Sequence, residues 1–216
     1  MTQVHLRCRC GKLEGLATDV SPRTGNHLIC YCDDCQAYAH FLERAGGRGG
    51  RSGAILDAHG GTEIFQMTPS QFQLTAGDEH LSLVKLSQKG LMRWFAGCCR
   101  TPVANTVSSA RVPFVGVPRA FMESGADGNA LDDALGPVIG YANARFATGE
   151  VGGLPAGASS KVPLGLIGRG LRLLAGAWLA GKNRPSPFFH PSTGAPVVVP
   201  QVLTPAEREQ LRPNGA

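Results

Sequence analysis

The sequence lacks the long apolar runs of a secreted or membrane-spanning chain. Its first ten residues contain no apolar stretch of signal-peptide length. The most apolar segment, residues 164–180, carries Arg169 and Arg172 and is shorter than the roughly 20 residues that a spanning helix needs. We therefore expect a cytoplasmic protein without a transmembrane span.

Charge is also scarce, at 17% of residues against 43% hydrophobic residues, a balance too apolar for a disordered chain. The 29 glycines and 15 prolines indicate many turns and short elements, and they disfavour a helical bundle. A length of 216 residues favours one full domain plus an extension over two equal domains.

Acidic residues become rare near the end of the chain. Residues 161–216 hold seven basic residues and two acidic ones, whereas residues 1–160 hold 14 of each. Such a basic, partly amphipathic tail can contact an acidic membrane surface, nucleic acid or an acidic protein. No aromatic residues alternate with the basic ones in a base-stacking pattern, so an ordinary solvated face is the simpler interpretation.

The cysteines carry the most information about function. Their number is odd and the expected compartment is reducing, and both facts disfavour a disulfide framework. Cys-x-Cys and Cys-x-x-Cys spacings let neighbouring thiolates bind one metal ion. The seven cysteines form three clusters: Cys8 and Cys10; Cys30, Cys32 and Cys35; Cys98 and Cys99.

These clusters predict two zinc ions. A closed structural zinc takes four protein ligands and a catalytic zinc takes three, which together would use all seven thiols. The motif at 30–35 is compact enough to supply three thiolates to a catalytic-type zinc by itself. The outer clusters at 8–10 and 98–99 would then form a structural site that joins segments about ninety residues apart.

Three stretches resemble the glutathione-dependent formaldehyde-activating enzyme family, which includes centromere-protein-V-like members. They are CRCG at 8–11, CYCDDC at 30–35 and RWFAGCCRTP at 93–102. In that family, Cys-x-Cys-Gly joins a later Phe-Cys-x-x-Cys-Gly-Thr-Pro around a structural zinc, and Cys-x-Cys-x-x-Cys holds a catalytic zinc. The resemblance covers residues 1 to about 120 and implies a zinc-binding domain over 1–122 and an extension over 123–216.

The resemblance assigns Cys8, Cys10 and Cys99 to the structural zinc. This chain has Ala96 at the position of the family's first cysteine in the later motif, and Arg100 replaces the usual glycine. Cys98 is the candidate for the missing ligand, and water or a histidine is the alternative.

The predicted fold is mainly β. Alternating or apolar stretches predict strands, and the family resemblance implies an Mss4-like set of folded antiparallel sheets with zinc knuckles on its turns. A short helix is expected over 36–43, and a capping box predicts a final helix over 205–212. Residues 45–53 read as a glycine-rich loop and residues 125–161 as irregular. The predicted strands are 4–8, 62–67, 81–87, 91–96 and 112–117.

Three further residues, Tyr31, Asp34 and His40, are candidates for orienting a ligand or moving a proton, or are ordinary fold residues. His5 lies close to Cys8 in sequence, but an ordinary strand histidine is the favoured interpretation.

Three functions remain open. The resemblance implies a zinc-dependent carbon–sulfur lyase whose partners are a glutathione-like thiol and an aldehyde. A zinc-stabilised binding module would instead use the basic tail to contact nucleic acid, a membrane surface or a protein. A redox or zinc-handling protein would oxidise or demetallate its cysteine-rich loop reversibly.

Overall fold

The computed structural model describes residues 2–45, 55–123, 129–149 and 153–212. The glycine-rich segment predicted to be a loop lies, from residue 46 to 53, outside these ranges.

Two sheets dominate the described chain, so the prediction of a mainly β protein is confirmed. The smaller sheet contains, in spatial order, β1 (Val4–Arg7), β2 (Glu14–Ala17) and β5 (Phe72–Ala76). The larger sheet contains, in spatial order, β10 (Tyr141–Ala142), β3 (Asn26–Cys30), β4 (Thr62–Met67), β9 (Val115–Pro118), β8 (Pro102–Thr106), β7 (Met92–Ala96), β6 (Leu81–Lys85) and β11 (Gln201–Val202).

Four α-helices accompany the sheets in the described ranges. The helix expected over 36–43 is longer and begins at the acidic pair that precedes it, whereas the helix expected to reach residue 212 ends at Glu209. The capping box of that last helix is present, because Thr204 Oγ1 accepts from Glu207 N at 3.2 Å. None of the described helices is both long and apolar enough to cross a membrane. The helices are α1 (Asp33–Ala45), α2 (Asn129–Leu135), α3 (Leu164–Leu179) and α4 (Pro205–Glu209).

The central strands of the larger sheet are covered on both faces. All five residues of β7 are buried, and neighbours on a strand point to opposite faces. Trp94 packs into the core shared with the smaller sheet, and Phe95 packs into a second core beneath α1. Strand β1 instead alternates buried and exposed residues, as expected for a sheet with one solvated face.

The extension predicted over 123–216 shares both cores with the first 122 residues. Phe188 lies 5.0 Å, between ring centroids, from Phe72 and from Trp94. Leu203 and Leu211 pack into the second core. The extension also supplies both edge strands of the larger sheet, since β10 pairs with β3 and β11 pairs with β6.

Glu63 links β4 to its surroundings and makes a pH-dependent contribution to stability. Its Oε1 accepts from His27 Nε2 at 2.7 Å and from Arg119 Nη1 at 3.0 Å. Burial alone would raise the pKa of Glu63, but these two partners lower it below the ordinary value. The carboxylate therefore stabilises the fold fully above the unfolded-state pKa of about 4.3. That contribution disappears as the pH falls through the lower folded-state pKa.

We expect Glu63→Gln to lower the free energy of unfolding at pH 7 and to approach the wild type in acid. Denaturant titrations at pH 7 and at steps down to about pH 3.5 would measure the free energy of unfolding of both proteins. This pH range is chosen because it includes the ordinary pKa of a glutamate side chain. The quantity compared is the difference in unfolding free energy between the two proteins at each pH. A difference that stays constant over this range would contradict the assignment.

Candidate metal centres

Four cysteines from two distant segments form a tight cluster, called here the four-thiol cluster. Cys10 Sγ lies 3.3 Å from Cys98 Sγ and 3.6 Å from Cys8 Sγ, and Cys98 Sγ lies 3.9 Å from Cys8 Sγ and from Cys99 Sγ. Sulfur atoms bound at ~2.3 Å to one tetrahedral ion are about 3.8 Å apart. The structure thus brings Cys98, the candidate for the missing ligand, within binding distance of the same point as the other three thiols.

Two backbone turns present these thiols. After β1 the chain turns at Gly11, whose N donates to Cys8 O at 2.8 Å with φ at 75°. The turn between β7 and β8 requires a left-handed residue at Arg100, with φ at 61°, which explains why a glycine would be favoured at this position. Arg9 N donates to Thr101 Oγ1 at 3.0 Å and ties the two turns together.

The other three cysteines form a second group, called here the three-thiol centre. Cys30 ends β3, Cys32 follows it, and Cys35 lies in the first turn of α1. Their sulfur atoms all lie within 4.8 Å of one another. Cys35 is buried, whereas Cys30 and Cys32 are half-buried, so the centre is partly accessible to solvent.

The three thiols cannot all be ionised without a cation. Hydrogen bonds from Cys32 and Cys35 lower the pKa of Cys30 to about 3, and the same contacts raise the pKa of Cys32 far above its usual range. The contact with Cys30 raises the pKa of Cys35 to about 11. Negative charge on one sulfur thus disfavours ionisation of the other two, and a bound cation would release their protons.

Arg93 supplies a buried positive charge beside the three-thiol centre. Its side chain is 3% exposed, and its Nη1 lies 3.9 Å from Cys35 Sγ and 3.3 Å from Asn105 Oδ1. Within the described ranges no carboxylate lies within 4.0 Å of this guanidinium. A divalent ion with three thiolates has a net charge of minus one, which Arg93 balances. The residues present therefore fit a divalent metal ion.

Asn143 is a second residue of this centre that the sequence did not indicate. Its Nδ2 lies 3.5 Å from Cys30 Sγ, and its backbone adopts a left-handed conformation with φ at 60°. The neighbouring strand β10 places it there, because Ala142 lies opposite Cys30 in the parallel pair. Residues 125–161 were expected to be irregular, and no spacing in them signals this contact.

The other candidates from the sequence have different surroundings. Asp34 pairs with Arg208 at 2.5 Å, and His40 Nδ1 lies 2.7 Å from Leu211 O, so both contact the C-terminal segment that contains α4. Tyr31 is fully buried, and burial raises its pKa to about 12, which keeps its hydroxyl protonated at neutral pH. His5 is an exposed residue of β1, as the favoured interpretation predicted.

The fold and its two cysteine groups define a mainly β protein with two sites able to hold metal ions. A family described as a family of unknown function (DUF6151) matches residues 1–199, and the chain belongs to this family. The matched range includes both cysteine groups and α3. No curated protein matches the chain.

Proposed function

We propose that the protein is a zinc-dependent enzyme of the carbon–sulfur lyase type that acts on thiol–aldehyde adducts. The observation that carries this proposal is the difference between the two cysteine groups. Four thiols can close a tetrahedral site, whereas three leave one position open for a reactant. The three resemblance motifs meet in these two groups, which also supports an Mss4-like arrangement and zinc as the metal.

The reaction proposed is reversible addition of a thiol to an aldehyde. In the forward direction the sulfur bonds to the carbonyl carbon, and the thiol proton ends on the carbonyl oxygen. In reverse the carbon–sulfur bond breaks and the proton returns. A zinc ion bound at the three-thiol centre would supply an open coordination position and Lewis acidity.

The residues of the chain hold the reactants and the charge. Arg93 neutralises the thiolates, and the Asn143 amide restricts Cys30 from the side of β10. Holding thiol and aldehyde at reacting distance is the main task, since such additions proceed without a catalyst.

We expect Cys32→Ser to slow interconversion of glutathione and formaldehyde with their adduct by about 10-fold to 100-fold, as for other changes that disturb a metal site. Exchange spectroscopy by NMR at equilibrium measures the rate directly. Retention of one metal ion in the four-thiol cluster would show that the variant is folded. A rate equal to that of the wild type would overturn the proposal.

A second candidate function, binding to an anionic membrane surface, is favoured by the outer side of α3. Leu164 is 85% exposed, Trp178 64% and Leu179 79%. Residues 151–206 contain five basic residues and no acidic ones. Exposed apolar residues flanked by basic ones are typical of helices that lie in a membrane interface.

We expect the full-length protein to bind vesicles that contain phosphatidylserine and to bind neutral vesicles weakly. Leu164→Asp should weaken vesicle binding severalfold, because it removes an apolar contact and adds a repelled charge. Val199→Asp is the matched control, since Val199 is also exposed, at 89%, but lies outside α3. Equal losses in both variants, or stronger binding to DNA than to vesicles in co-sedimentation, would reject this function.

A further inference from the structure

A mostly apolar cavity of about 300 Å³ lies beside the three-thiol centre. Cys30 forms part of its wall, so the cavity reaches one of the proposed metal ligands. Leu28 of β3 and Met67 of β4 line the side formed by the sheet, and Leu166 and Leu174 of α3 line the opposite side. A volume of this size is at the lower end of the range of small-molecule sites, about 300–1,000 Å³.

Besides the Cys30 thiol, the wall contains five hydroxyl or amide side chains, and several of their polar atoms already have partners within the protein. These side chains belong to Thr24, Asn26, Gln66, Thr68 and Asn143. Asn26 Nδ2 donates to Gln66 Oε1 at 3.1 Å, and Asn26 Oδ1 accepts from Arg169 Nε at 2.6 Å. Asn143 contacts Cys30, as described above. Apart from Cys30, whose thiol is a proposed metal ligand, no ionisable side chain lines the cavity among the described residues. A carboxylate placed here would lose its hydration without gaining a cationic side chain as a partner.

Glutathione therefore fits this cavity poorly, because it carries two carboxylates and an ammonium group at neutral pH. A molecule with an uncharged hydrocarbon body fits it well. The cavity would hold about ten water-sized groups, since a water molecule occupies ~30 Å³ in the liquid.

We propose that the cavity binds the hydrocarbon body of an apolar aldehyde, or of its thiol adduct, with the reacting carbon at the edge formed by Cys30. This inference deepens the proposed lyase function and rests on it in one respect, that the bound molecule is an aldehyde or its adduct. The binding of an apolar molecule to the cavity does not depend on the lyase function. The preferred substrates then become medium-chain aliphatic or small aromatic aldehydes, and formaldehyde becomes a poorer substrate.

Straight-chain alcohols test the binding separately from the reaction, because they match the aldehydes in shape and cannot form adducts. We expect calorimetric titration of the zinc-loaded protein to show affinity rising about fourfold for each methylene from butanol to octanol. Glutathione at millimolar concentration should not compete. Affinity that is independent of chain length, or competition by glutathione, would overturn the inference.

Two glycines of α3 provide a matched pair of variants. A side chain at Gly170 would project toward Asn26 in the cavity wall, with its Cβ 3.9 Å from Asn26 Nδ2, whereas a side chain at Gly168 would meet nothing within 4 Å. Both replacements put leucine, a better helix former, in place of a helical glycine. Gly170→Leu should weaken octanol binding at least tenfold and Gly168→Leu should leave it unchanged. Equal effects would place octanol on the outer side of α3 and overturn the inference.

The failures of the two proposals are distinguishable. Octanol binding that is sensitive to Gly170→Leu, without turnover of hexanal adducts, would reject the lyase function and keep the apolar site. Turnover of the formaldehyde adduct, with neither octanol binding nor faster exchange of hexanal adducts, would keep the lyase function and reject the apolar site.

Discussion

In the metal-loaded protein, Cys10→Ser should lower the number of bound ions from two to one. It should also cost more stability than any other single substitution of an exposed residue. Structural zinc sites are worth on the order of 10 kcal/mol in small peptides, which is comparable to the net stability of a whole domain. The four-thiol cluster joins residues 8–10 to residues 98–99, so its loss frees the N-terminal segment from the turn after β7.

The choice of Cys10 separates metal binding from packing. Its side chain is exposed, and an exposed substitution without a special role changes stability by only about 0.5 kcal/mol or less. Cys8 is buried, so its replacement would mix a packing loss with a metal loss.

Elemental analysis and thermal unfolding of both proteins, with and without a chelator, would measure this prediction. We expect the variant to hold one ion and to melt far below the wild type, and the two proteins to melt alike once the metal is stripped. A Cys10→Ser protein that keeps two ions and the melting temperature of the wild type would remove Cys10 from the site. The same measurement on Cys98→Ser would decide whether Cys98 or a water completes the coordination.

Arg93→Met should change stability in opposite directions in the metal-loaded and metal-free proteins. With three thiolates and a divalent ion present, the guanidinium balances a buried negative charge, and removing one partner of a buried pair costs about 3–5 kcal/mol. Without the metal, the buried guanidinium has weaker compensation, and a well-packed apolar replacement is neutral or stabilising by about 1–4 kcal/mol.

The affinity for metal should fall, as the stability of the metal-loaded protein does. We expect Arg93→Met to weaken metal binding at the three-thiol centre by about 10-fold to 100-fold, the range found for residues that contact metal ligands, and to leave the four-thiol cluster loaded. Arg93→Lys keeps the positive charge but loses the planar guanidinium, so its metal affinity should lie between those of the wild type and Arg93→Met. Competition with a chromogenic chelator measures both sites. Unchanged affinity in Arg93→Met would show that the guanidinium does not balance the charge of the metal site. Its contacts with Asn105 and the Tyr38 ring would then be sufficient to accommodate it in the wild type.

The grouping of the cysteines follows from the sequence because metal ligation depends on local spacing. Cys32 and Cys35 are three residues apart, and the backbone bond from Cys35 N to Cys32 O, at 3.0 Å, brings them together. The meeting of the 8–10 and 98–99 clusters follows from elimination, since the motif at 30–35 already supplies three thiols to one ion. The predicted strands 62–67, 81–87 and 91–96 correspond to β4, β6 and β7, because each is a short stretch rich in apolar residues.

The surroundings of the three-thiol centre do not follow from the sequence, because they depend on contacts between distant segments. Asn143 meets Cys30 only through the two-residue pairing of β10 with β3. Helix α3 contains four glycines in sixteen residues, which argues against helix by propensity, yet its apolar side covers the cavity. The sequence left open whether Asp34 and His40 act at the site or are ordinary fold residues, because their partners, Arg208 and Leu211, lie about 170 residues further along the chain.

The late position of those partners has a consequence for how the protein matures on the ribosome. All four thiols of the first cluster lie within the first 99 residues, so the cluster needs no later part of the chain for its ligands. The segment that carries Cys30, Cys32 and Cys35 is braced by Asn143 and by Arg208 and Arg212, which pair with the acidic residues that begin α1. All seven cysteines of the two groups thus lie within the first 99 residues, whereas the contacts that brace the three-thiol centre require the chain to extend to residue 212.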